Sequence, residues 1–482
     1  MKKNYDAIII GGGIGGLFAG AMLGQDGMKT AIIEKNKELG GYFSSFRTPE
    51  GDILDYGANY LLACDEGGEV HRILKTLDME DKIRFVSLAF SDRIIFRDRT
   101  FTFPKGLDAL RDALIREFPE SEAEIEDYID WMKQYADCGS TRSAESGRFF
   151  MKYYKQTYKE FLETRISSPL LRAVLSIRIQ ENPGSLMMMG GVVSESYGKG
   201  MNYPMGGSSK ICTALTDKIR ACGGEIIPET VCTQITEEQD GSFTVTLKTN
   251  GEQSECAAFY IVYDGDPFRL NALFSDAAET YKEEKINQRK IGHSSLSVYL
   301  TAKNLDLSSC QCGRIYLCET EDVFRAYKEL ETGILPESPI LKVHIPSVYD
   351  SSLTGEGRAV VRIETDVYHV NSSNTQEDYL QYAEKIIDIV QEKLFPDLKS
   401  KIVFLKVMTP IDFEERFLSK AGSGTGWRHN VENYMLKPFP QGADRKNVYT
   451  VGQWGSQGSG IRQVAVSAEK VSKEIFGKWR KR

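Results

Sequence analysis

The sequence predicts an α/β fold: a parallel sheet assembled from separated stretches of chain, with an α+β domain inserted between them. Three observations predict it. Within the first 34 residues an apolar strand runs through a glycine loop into a small-residue helix and a second strand. Two later stretches and the C-terminus return to similar strand-and-turn patterns. Between these returns lie one helical, aromatic block and one block that mixes alternating strands with a helix. At 482 residues the chain has room for roughly two to four domains, and 41% hydrophobic with 27% charged residues is an ordinary globular balance. A net charge of −8 gives nucleic acid no electrostatic footing. No apolar run reaches the ~18–20 residues needed to span a bilayer.

The N-terminal unit carries the sharpest signal. In "YDAIIIGGGIGGLFAGAMLGQDGMKTAIIEK" the strand at 7–10 enters a G-x-G-x-x-G loop. Gly11 permits the tight turn, Gly13 lets backbone approach a pyrophosphate, and Gly16 lets helix pack closely on strand. Gly13, Ile14 and Gly15 open the helix, whose free N–H groups and positive dipole end suit an anion. Glu34, 23 residues after Gly11, ends the second strand, where a carboxylate accepts ribose hydroxyls. That acid also argues against a 2′-phosphate, hence against NADP. The unit is Rossmann-like, and by itself it leaves FAD and NAD open.

The next stretch of chain decides between them. After Glu34 and Lys35, "EKNKELGGYFSSF" supplies Gly40, Gly41 and Tyr42, and "GDILDYGANYLL" supplies Gly57, Ala58 and Asn59. An NAD domain would continue into a crossover helix; here the chain breaks into a glycine-bearing loop, as where it runs beside an extended FAD. The combination resembles the glutathione-reductase-like FAD superfamily.

The first return, "MGGSSKICTALTDKIRACGGEIIPETVCTQITEEQDGSFTVTLKTNGE", reads as a helix, a Gly223–Gly224 stop and a strand pair turning at Asp240 and Gly241. The second, "CAAFYIVYDGDPFRL", is an apolar strand closing on an acidic turn. Val231 and Asp264 in these returns are expected cofactor contacts. The third is "VYTVGQWGSQGSGIRQ" with the helix "VAVSAEKVSKEIF". The expected division is a discontinuous FAD-binding domain at 1–90, 206–290 and 401–482, with a substrate domain at 91–205 and 291–400.

Over nearly its whole length the chain is similar to the phytoene desaturase family, which includes carotenoid desaturases, carotenoid isomerases and retinol saturases. The resemblance rests on the N-terminal unit through "KELGG", and on "YPMGGSSKICTALTDKIRACGGEI", "IVYDGDP" and "IPSVYDSSLTGEGRAVVRIET". It continues in "MTPIDFEERFLSKAGSGTGW" and "NVYTVGQWGSQGSGI". It implies one non-covalent FAD, hydride transfer at flavin N5, and a long apolar tunnel for a polyene or similar hydrophobic molecule. Only one G-x-G-x-x-G precedes a strand–helix–strand unit, so no second domain for NAD(P)H is evident. Electrons must then pass to or from an outside partner, or return to the same substrate.

Within that reading, Gly452 lies on the last strand, and Gly458, Gly460 and Ile461 open a helix toward the flavin pyrimidine edge. Arg462 adds a cation whose removal lowers the flavin potential. The family's HPGGG-x-P-type run is altered at Ser459 and Arg462, and Tyr42 stands where many relatives have arginine. Both changes point away from phytoene, toward a different redox partner or a substrate with a polar end such as a carboxylate. Asn59 and Tyr60 are candidates for the flavin neighbourhood, set against a structural turn. Met187, Met188 and Met189 either line a lipid tunnel or fill core. The five histidines (His71, His293, His344, His369, His429) show no ligand spacing and read as structural, except His429 after the glycine stretch "AGSGTGWRH". Arg428 beside it is a candidate carboxylate holder, set against a solvated surface pair.

Nine cysteines without framework spacing suit a reducing cytosol, and "SSCQCGRIYLC" lacks the second CxxC or histidine of a metal site. No metal is expected. The tail "FGKWRKR" and the aromatic–basic block 148–165 raise peripheral contact with an anionic membrane against an ordinary solvated face. Two rival functions share the FAD domain: a flavin amine oxidase, and a non-catalytic lipid-binding protein that keeps FAD as a structural ligand.

Overall fold

The computed structural model describes residues 3–57, 60–140, 143–178, 184–274, 280–308, 310, 313–370, 372–436, 442–455 and 458–482. Ala58 and Asn59 lie outside the described residues, as do Cys312, Ser456 and Gln457.

The first sheet has seven strands. Strand β1 (Lys3–Ile10) lies between β2 (Thr30–Ile33) and the strand Glu252–Tyr263, parallel to both. Glu225–Ile227 extends the parallel set beyond β2, and Val448–Thr450 extends it beyond Glu252–Tyr263. Thr230–Glu237 and Phe243–Thr249 add an antiparallel wing. The second half of β1 and all of β2 are buried, as a parallel sheet covered on both faces requires. Helix α1 (Ile14–Gln25) is buried along most of its length, packing against the helix Ser209–Ala221 and the C-terminal helix Ile461–Trp479. Its glycines make this possible: a Cβ on Gly16 would strike the carbonyl oxygen of Gly11.

The second sheet also has seven strands, in the order Ile402–Met408, Ser294–Lys303, Arg358–Val367, Leu341–His344, Arg314–Cys318, Phe90–Phe96 and Arg99–Pro104. All pairs are antiparallel except Arg314–Cys318 with Phe90–Phe96. Alternation sorts its two faces. Leu296, Val298, Ile315, Val343 and Ile363 join the aromatic helices in one large core. Tyr299, Tyr316, Lys342, Arg362 and Glu364 fall on the opposite face, where Tyr299 lies opposite Arg362, and Lys342 lies between Tyr316 and Glu364.

The strand Ile402–Met408 corrects the expected boundary at 401: it hydrogen-bonds to Ser297–Ala302 in the second sheet, not to the first. An edge strand alternates identically in either sheet, so only its pairing assigns it. The block 148–165 sends Phe149, Tyr153, Tyr158 and Phe161 inward, leaving Met151 67% exposed. Among the described residues no helix is long and apolar enough to cross a membrane.

Candidate functional site

One cavity of about 720 Å³ runs from the N-terminal glycine loop to the polar face of the second sheet. Its first part is built from backbone. Gly11 turns the chain at φ +105°, outside the range of most side chains. Gly13, Ile14 and Gly15 line the cavity at the start of α1, and no side chain caps that helix. Its first N–H groups therefore suit an anion. A Cβ on Gly15 would lie 2.8 Å from the Gly452 nitrogen and 2.9 Å from Asp264 Oδ1, so glycine keeps the loop, the acid and the last strand together. Gly16 sits behind the wall and donates its N–H to Asp264 Oδ2 at 2.7 Å. Burial, with Glu34 adding, pushes the Asp264 carboxyl up to about 7, although the Gly16 N–H opposes the shift.

Glu34 accepts from the Gly12 N–H at 2.7 Å and from the Asn36 N–H at 2.8 Å, which fixes its carboxylate in the wall. Lys35 lines the same stretch, its ammonium on the Glu415 carbonyl at 2.7 Å. Gly40 donates to the Gly12 carbonyl at 2.7 Å, docking the second loop on the first. Gly41, Tyr42 and Gly57 line the wall beside it. Tyr42 donates to the Gly422 carbonyl, stacks on Phe413 and meets Phe417 at a tilt. Val231 and Asp264 complete this end.

The middle of the cavity meets a second uncapped helix start. Gly452, Gly460, Ile461 and Arg462 line it, and the helix Ile461–Trp479 begins there with no side-chain cap. Gly458 is set back from the wall, with His429 and Met188 as its neighbours. Ser459 Oγ lies 3.3 Å from His429 Nε2, so His429 meets the altered motif directly. Arg462 lines the cavity with its guanidinium paired to Glu69 and, at 3.1 Å, to Glu195. Arg428 does not line the cavity; it is 9% exposed and paired with Glu331, neither a solvated surface group nor a ligand clamp. Met189 lines the cavity while Met187 belongs to the core.

The far end is a floor of charged side chains. Arg178, Arg314, Lys342, Arg362 and Glu364 line it, with Tyr60, Tyr316, His293 and His344 among them. Asp92 stands behind, bonded by Arg178 at 3.0 Å and 3.3 Å from Arg314. Lys342 lies between Asp366 at 2.6 Å and Glu364 at 3.1 Å. Tyr60 sits under Arg314, whose guanidinium carbon is 3.9 Å from the ring centre. Burial raises the Tyr60 phenol, but Arg314 and Arg178 outweigh it and leave the group below its usual range. Sequence reasoning missed this floor, and it read His293 and His344 as isolated structural residues. The usable signal was charge at every second position in apolar strands, as in "RIY", "LKVH" and "VRIETD".

FAD fits the residues present. Two uncapped helix starts, glycines a Cβ would block and a fixed carboxylate share one cavity large enough for a dinucleotide. Comparisons with known proteins agree. Residues 9–77 match the family described as NAD(P)-binding Rossmann-like domain. The inactive all-trans-retinol 13,14-reductase of Danio rerio is 23% identical over 94% of this chain and 83% of that protein. Phytoene desaturase (neurosporene-forming) of Rhodobacter capsulatus is 24% identical, covering 98% and 95%. Prolycopene isomerase 1 of an Oncidium hybrid cultivar is 26% identical, covering 96% and 82%. Among solved structures, cyclohexylamine oxidase from Brevibacterium oxydans matches with TM-score 0.61 at 16% identity over 99% of each chain, a likeness of fold. With this cavity on the fold, the chain is an FAD-dependent oxidoreductase similar over nearly its full length to a phytoene desaturase, a prolycopene isomerase and an inactive retinol reductase.

Proposed function

We propose that the protein desaturates, saturates or isomerises C–C bonds of a hydrophobic polyene, isoprenoid or other unsaturated lipid. The observation that carries this reading is the single cavity joining the glycine cradle, the second helix start and the second sheet. Bound FAD supplies a two-electron hydride acceptor or donor. Gly11, Gly13, Ile14, Gly15 and Gly16 shape the pyrophosphate cradle, and Glu34 takes ribose hydroxyls. The loop with Gly40, Gly41, Tyr42 and Gly57 runs along the dinucleotide, and Val231 and Asp264 flank it. Gly452, Gly458, Gly460 and Ile461 set the helix Ile461–Trp479 so that its N–H groups and dipole stabilise negative charge at the ring end. The sheet pairing supports a division in which 402–408 joins the substrate domain.

The desaturase and isomerase relatives support a C–C substrate and leave the direction open. A protonated amine is disfavoured by a floor carrying four cations. The test is anaerobic: holoprotein flavin, oxidised or dithionite-reduced, is mixed with carotenoids, retinoids and unsaturated fatty acids. Expected is bleaching or reoxidation by at least one polyene, or its isomerisation at unchanged flavin absorbance. A flavin that dithionite reduces but no polyene changes or is changed by supports a binding protein. Hydrogen peroxide release with simple amines alone supports an oxidase.

A further inference from the structure

We propose that the substrate carries a carboxylate, held at the cavity floor by Arg314, Lys342 and His344. This rests on the polyene reading of the site and names the class of molecule that the same site takes.

The floor is cationic toward the cavity and acidic behind. Arg178, Arg314, Lys342 and Arg362 line it with one carboxylate, Glu364, whereas Asp92 and Asp366 are not in the cavity wall. Register sets the cations side by side: Arg314 opposite His344, His344 opposite Arg362, and Lys342 between Tyr316 and Glu364. Three carboxylates, Asp92, Glu364 and Asp366, pair with these four cations, so a hydrocarbon alone would leave the row with an excess positive charge. His344 is the second observation. It is 2% exposed and lines the cavity, and neither ring nitrogen has a hydrogen-bond partner. Burial, then Arg314, holds its pKa well below the usual histidine value, so the ring is neutral with one N–H to donate. A carboxylate satisfies that donor and the cations together. A monoanion is also less costly to desolvate here than a phosphate dianion. Met189, Val192 and Ile461 line the same cavity and suit the chain that trails from such a head group.

The test titrates holoprotein, followed by flavin absorbance, with all-trans-retinoate, its methyl ester, all-trans-retinol and retinyl phosphate. Retinoate is expected to bind about tenfold or more tighter than the ester and the alcohol. His344→Phe, which removes no charge, is expected to weaken retinoate several-fold and leave the ester unchanged. Lys342→Met is expected to abolish the preference; should it not fold, the wild-type ranking and His344→Phe still decide. Equal or weaker binding of retinoate overturns the inference, as does tighter binding of the phosphate. If the alcohol or ester still exchanges electrons with the flavin, the polyene reading survives that failure. Preferential retinoate binding with neither electron exchange nor isomerisation of any polyene supports the carboxylate site and overturns the redox reading. No binding and no reaction with any of the four overturns both.

Discussion

The two ends of the cavity are built by opposite means. The cradle uses backbone: glycines, uncapped helix N–H groups and one fixed carboxylate, drawn mostly from the first 57 residues. The floor uses side chains: cations and acids from the turn after the helix Pro169–Ser176 and from strands between Phe90 and Val367. A cradle of this kind recognises a shape and a charge common to all dinucleotides. A floor of buried charges is stable only while those charges are balanced.

The largest effect should separate the two ends. Asp92 is fully buried and serves both Arg178 and Arg314. Asp92→Ala should destabilise the protein by ~3–5 kcal/mol, because two buried cations lose their carboxylate. Denaturant titration measures it, and the fraction that still folds should keep its FAD. Gly15→Val should do the reverse, costing ~1–3 kcal/mol through overpacking against Gly452 and Asp264 while nearly abolishing FAD retention on purification.

A third effect lies within the cradle. The Asp264 carboxyl is raised to about 7 in the folded protein, so the folded state holds this proton more tightly than the unfolded chain, where the group titrates near ~3.9. Its contribution to apoprotein stability is therefore full below about pH 4 and lost as pH rises through about 7. Thermal melts of apoprotein across that window should show the slope, and Asp264→Asn should remove it. The smallest effect belongs to Arg462. Its pairs with Glu69 and Glu195 are part-buried, so Arg462→Met should cost about 1 kcal/mol. It should lower the flavin potential, mainly by leaving Glu69 and Glu195 uncompensated, and adding Glu195→Gln should restore most of it.

The same contrast explains what could be read from the sequence. Strand, loop, helix and acid at the N-terminus are contiguous, so spacing alone put Gly11, Gly13 and Glu34 in one unit. Arg314, Lys342 and Arg362 are scattered along the chain and become one surface only through register. Each, taken alone, reads as the solvent side of a half-buried strand. Partner choice was equally hidden: Arg428 meets Glu331 and Arg462 meets Glu69 across 97 and 393 positions of sequence. The strand Ile402–Met408 shows the limit most simply, since its alternation fits either sheet.

The most direct measurement is a crystal structure of the holoprotein with FAD bound. The expected result has the pyrophosphate on the N–H groups at the start of α1, and the flavin ring edge at Gly460 and Ile461, with open space between the ring and the floor at Arg314, Lys342 and His344. A ring directed away from that floor, or a wall of protein between them, would contradict a shared site for cofactor and substrate.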